Sequence, residues 1–178
     1  MRISLEGNTG GVRVRMRYEQ HRWRWLAVRI MLGILAVQGI VVGLWALFAP
    51  HSWYSDFPGF GMRWVGLDGP FNHHLAADVG AFFLALGAVS LFALLRGENV
   101  PARAAGIGWT VMALPHLIYH LAHRPAEMTT VSYVLSLIAA AALAALGLAL
   151  IFVTPPVDRI ADPDPIEFRF PRGRARNG

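Results

Sequence analysis

Apolar residues fall into long uninterrupted blocks along this chain, and the short stretches between them hold nearly all of the charge. Four blocks, near 26–49, 73–95, 103–123 and 130–153, are long enough to cross roughly 30 Å of hydrocarbon, a distance that takes about 20 helical residues. The pattern predicts an all-α fold, an integral membrane antiparallel four-helix bundle. Gly39 and Gly43 form a GxxxG on the first block, and Gly80 and Gly87 lie on the second. Small residues at such positions let helices pack closely in lipid, where the hydrophobic effect cannot join helices already in hydrocarbon. Ala46 and Ala49 ahead of Pro50 resemble a cleavage site, but the length of the first block favours a retained transmembrane helix over a signal peptide.

Composition sharpens this reading. Of 178 residues, 55% are hydrophobic and only 15% charged, which is low against a globular norm of roughly 25%. The net charge of +5 comes from 16 arginines with no lysine. One set of segments, 1–29, 96–103 and everything after 154, holds fourteen of them, while 50–72 and 124–129 hold only Arg63 and Arg124. This asymmetry predicts a bacterial inner-membrane protein with both termini cytoplasmic. Residues 1–25 then form a basic cytoplasmic arm facing anionic lipid rather than nucleic acid, and the alternation Val12 to Arg17 is read as arm in preference to strand. The tail 154–178 lacks an apolar period and is expected to be disordered. Without cysteine there is no thiolate metal site, iron–sulfur cluster or cysteine nucleophile.

The chemistry-bearing residues gather on the other side. Six of the seven histidines, His51, His73, His74, His116, His120 and His123, fall at the extracytoplasmic ends of the blocks. His116, His120 and His123 share one helical stripe, as do His74 and Asp78. A lone Asp in hydrocarbon costs on the order of 2.5–3.5 kcal/mol, so Asp78 needs a partner. The expected site is therefore His74, Asp78, His116 and His120, with His123 auxiliary. A mixed nitrogen and oxygen set suits a metal ion such as zinc, iron, manganese or copper(II). A b-type haem held by one histidine from each of two helices is a second option, and a hydrogen-bonded polar network without a cofactor is the plainest.

Ser132, Tyr133 and Ser136 open the fourth block at a matching depth, Gln38 sits mid-span in the first, and Pro115 is placed to kink the third. The 50–72 loop is dense in aromatics and glycines. It reads as an interfacial anchor, or alternatively as a lid over the histidines with Asp56 or Asp68 reaching inward.

The segments Phe71–Asn72–His73–His74–Leu75, Asp78–Val79–Gly80–Ala81–Phe82 and Pro115–His116–Leu117–Ile118–Tyr119–His120 resemble small four-span bacterial membrane proteins of the DoxX-like kind. The resemblance covers roughly 25–153 and implies a quinone-linked redox role. Two functions are expected: metal or haem binding for quinone-linked redox chemistry or metal handling, or a non-enzymatic accessory or scaffold subunit of a larger membrane complex that packs through its GxxxG face and arginine-rich ends; the expected partners are the lipid bilayer, a quinone, and a membrane protein or a second copy of the chain.

Overall fold

The computed structural model describes residues 2–8 and 11–169. Strands β1 (Arg2–Asn8) and β2 (Gly11–Glu19) precede α1 (Arg22–Phe48) and α2 (Pro50–Asp56). A hairpin of β3 (Pro58–Gly59) and β4 (Met62–Arg63) leads to α3 (His73–Arg96), α4 (Asn99–Ala122) and α5 (Thr130–Val153), and β5 (Ile160–Ala161) and β6 (Ile166–Arg169) close the described chain. Helix limits follow local chemistry. The Asn72 side chain accepts the Leu75 N–H at 3.1 Å, and Thr129 does the same for Ser132 at 3.2 Å. Gly97, at φ 66°, stops α3 in the left-handed conformation that glycine adopts without a Cβ clash.

The protein is mostly helical, and α1, α3 and α5 are long and apolar enough to cross a membrane. Helix α4 matches α3 and α5 in length, but Asn99, Arg103, Thr110, Pro115, His116 and His120 dilute its apolar character. It runs unbroken across Pro115.

The long helices pack as two tight pairs. In the first, a Cβ built on Gly39 would lie 2.6 Å from the Gly87 Cα, and one on Gly80 would lie 2.5 Å from the Leu47 nitrogen. Backbone therefore meets backbone between α1 and α3. In the second, Gly106 and Gly147 bring α4 and α5 together, a Cβ on Gly147 falling 2.8 Å from the Thr110 nitrogen. The pairs join through a core of Trp25, Leu32, Leu35, Ala93, Trp109 and Leu150, where the Trp109 indole donates to Ser90 Oγ at 2.8 Å. Gly39 and Gly43 are thus buried inside the molecule, and the GxxxG face expected to dock a partner is already covered by α3.

Two expectations need correction. Residues 12–17 are strand, not a loose arm, and the described part of the tail is ordered on them, so the fold is not purely α. β2 pairs antiparallel with β1 on one edge and with β5 and β6 on the other. The register places Ile3, Leu5, Val12, Val14, Met16, Ile166 and Phe168 on one face and the arginines on the other. On the charged face Arg13 meets Glu167 at 2.6 Å and Arg17 meets Asp162 at 2.8 Å. The tail is also pinned to the helix ends: Asp158 accepts the Asn99 N–H at 2.8 Å and the Arg159 N–H donates to the Gly97 carbonyl at 3.1 Å. The tail residues 170–178, with Arg172, Arg174 and Arg176, lie outside the described residues.

Gly39→Ala forces the α1 and α3 backbones apart and is expected to lower stability by about 1–3 kcal/mol, as overpacking does. Gly33→Ala meets nothing within 4 Å and should be neutral or stabilising. Thermal unfolding in mild detergent compares the two. The Arg13 guanidinium holds the Glu167 carboxyl below its ordinary value. Its contribution to tail docking is therefore full above the usual carboxylate range and is lost as pH falls through the lowered value. Protease cleavage within 160–169 should rise at acid pH, and Glu167→Gln should raise it already at neutral pH.

Candidate functional site

The two helix pairs converge at the Trp109 level and leave a cavity of about 460 Å³ toward the α2 end. Its walls come from every long helix: Gln38 and Val42 of α1, Val79, Phe82 and Leu86 of α3, Met112 and His116 of α4, and Ser136, Ala140 and Leu143 of α5. Trp53, Phe57, Trp64 and Val65 form its roof. The lining is mainly apolar, with polar groups few and spaced, as in sites for small organic ligands.

The roof is fastened to the opposite helix pair at two points. Trp64 Nε1 donates to Ser132 Oγ at 2.8 Å, and Tyr119 Oη donates to Asp68 Oδ2 at 2.9 Å. Phe57 packs edge-on against Trp64, ring centroids 5.8 Å apart, and Tyr54 donates to the Gly69 carbonyl. These contacts hold the segment from Phe57 to Pro70 across the gap. Of the two roles open to this loop, the geometry fits a lid, with Asp68 as the residue that reaches across; Asp56 instead accepts from Ser52 at 3.1 Å.

The five expected ligands occupy different places. His116 and His120 both line the cavity, their rings edge to face with centroids 4.6 Å apart. His74 and Asp78 pair with each other, Nε2 to Oδ2 3.3 Å, on the exposed surface of α3 and do not line the cavity. Asp78 thus finds its partner one turn away on its own helix. His123 stacks on Tyr119 at 4.3 Å, outside the lining. The physical reason is the pairing: α3 turns its glycines into α1, which points Asp78 away from α4.

Among the described residues no group of three or more His, Cys, Asp or Glu side chains is placed to hold a metal ion. The two cavity imidazoles are not placed as a pair of axial haem ligands. They stand one turn apart on a single helix and touch each other, whereas axial ligation by two histidines needs one on each face of the macrocycle.

The Trp53 indole N–H is buried without a hydrogen-bond partner, and Trp53 lines the cavity. An unpaired buried donor costs about 1–3 kcal/mol. Trp53, Trp64 and Asp68 belong to the segment that read as a membrane anchor. The role of Trp64 and Asp68 depends on contacts with residues more than 50 positions away, which no local pattern reveals.

Removing either fastening, by Tyr119→Phe or Ser132→Ala, is expected to cost about 0.5–1.5 kcal/mol locally. Hydrogen exchange across 57–70 should accelerate, most in the double variant, with little change in the Trp109 region. Comparison of this chain with family models, curated proteins and solved structures finds no match, and the likeness to DoxX-like proteins stands on the quoted motifs alone.

Proposed function

We propose that this chain is a four-span inner-membrane protein that binds a small, largely apolar molecule in the cavity beneath its aromatic lid. The observation that carries the reading is the cavity itself: apolar walls contributed by four helices, a fastened roof, and hydrogen-bonding groups confined to a few positions.

Parity supports four crossings. β2 lies before α1, and its partners β5 and β6 lie after α5, so both ends of the helical region sit on one side. That arrangement favours an even number of crossings. With α1, α3 and α5 spanning, α4 supplies the fourth despite its polar positions, which it turns in part toward the cavity. The fourteen-to-two arginine split places the sheet in the cytoplasm and the lid outside. A membrane quinone, as the DoxX-like resemblance implies, has the apolar body and acceptor oxygens that such a cavity accommodates.

A short-tailed benzoquinone serves as the probe. It should quench the fluorescence of Trp53 and Trp64 saturably in detergent-solubilised protein. Ala139→Phe, which fills the cavity, should weaken binding by at least about tenfold, or 1.4 kcal/mol, while Gly33→Ala leaves it unchanged. Absence of saturable binding, or purified protein carrying stoichiometric metal or haem, overturns the reading.

A further inference from the structure

The cavity wall is not closed, and the breach has a definite place. Of the residues that line the cavity, those on α1 and α5 are buried or half-buried. The exposed ones are Phe82 on α3, His116 and Tyr119 on α4, and Asp68 on the lid, with Phe82 70% and Tyr119 43% exposed. All four border the gap between α3 and α4.

That gap follows from the packing. The contacts between α3 and α4 run from the hairpin side to mid-helix: the Trp109 to Ser90 hydrogen bond, and Phe83 edge-on to Trp109 at 6.1 Å. Beyond that point α3 follows α1 and α4 follows α5, held by the glycine contacts within each pair. The two helices therefore leave a seam at their outer halves.

Depth decides what the seam faces. His116 lies six residues before the end of α4, about 9 Å inside it, and Phe82 lies nine residues after the start of α3, roughly 13 Å inside. Both depths fall within the hydrocarbon when the helices span the bilayer. The mouth of the cavity thus opens on lipid, while the fastened lid covers the aqueous side.

We infer that the ligand is a membrane-resident amphiphile that enters sideways between α3 and α4, with a neutral head carrying an acceptor oxygen. The His116 and His120 rings, both in the lining, supply an N–H donor for that oxygen. The Asp68 carboxylate at the mouth disfavours an anionic head. The apolar tail lies past Phe82 in the seam, in contact with acyl chains. This inference rests on the cavity reading above and adds the route and the chemical class.

The test uses the full chain in phosphatidylcholine vesicles, with a brominated long-chain alcohol as lipid-phase probe and a brominated short-chain alcohol as water-soluble probe. The long-chain probe should quench Trp53 and Trp64 saturably, and the saturable component should vanish in a Trp53→Phe, Trp64→Phe variant. Phe82→Ala should speed uptake several-fold. Because the chain has no cysteine, Phe82→Cys with His116→Cys can be bridged by a cleavable bifunctional maleimide. Bridging should slow uptake several-fold, and cleavage in the same sample should restore it. No saturable quenching by either alcohol, together with no benzoquinone binding, retires the cavity reading itself. Saturable quenching with uptake indifferent to Phe82→Ala and to the bridge, or faster only when Tyr119→Phe loosens the lid, retires lateral entry alone. Preference for the short water-soluble alcohol or for a brominated fatty acid overturns the proposed ligand class.

Discussion

Backbone contact between α1 and α3 is the constraint from which the remaining architecture follows. With no Cβ at Gly39, Gly43, Gly80 or Gly87, the two helices approach until main-chain atoms touch, and dispersion gains from that contact replace the hydrophobic drive that lipid does not provide. Gly106 and Gly147 do the same for α4 and α5. A molecule of two zipped pairs has one weak internal boundary, and its cavity, lid and side opening all lie along it.

The two ends of that boundary are built differently. Toward the sheet it is sealed by bulk, with Trp25 and Trp109 among Leu32, Leu35 and Leu150. Toward α2 it is bridged by two side-chain hydrogen bonds from a glycine-rich segment. Individual hydrogen bonds are worth little net free energy, whereas a packed aromatic core is costly to disturb. The sealed end is therefore the fulcrum and the bridged end the part able to give way, an asymmetry that suits a binding site with a fixed floor and an adjustable roof.

Much of this was legible in the sequence. The limits of α3 and α5, the small residues of the α1–α3 contact, and the matching depth of Ser136 and His116 all follow from periodicity and rise per residue. The pairing of helices did not. A short connection suggested that α3 would turn its polar stripe to α4, yet the glycine faces took α3 to α1 and left His74 and Asp78 outside. The His116 and His120 pair was found because an i, i+4 spacing is local; its neighbour Asp68 was only an option because it arrives from a distant loop. The sheet was missed for a similar reason. Val12 to Arg17 alternates as a strand should and pairs on one edge with the adjacent β1, but the partner on its other edge lies about 150 residues further on, in a stretch whose own composition looks unstructured.

That pairing imposes an order on assembly. Ile166 to Arg169 emerge from the ribosome only after every helix has been made, so β2 waits with one edge unpaired until α5 is in place. In the four-span arrangement proposed above, a crossing that fails to insert leaves the two partners on opposite sides of the bilayer, where they cannot meet. On that proposal, closure of the sheet is a molecular record that translocation ended with the right count, and the arginine–carboxylate contacts across it are the clasp on that record.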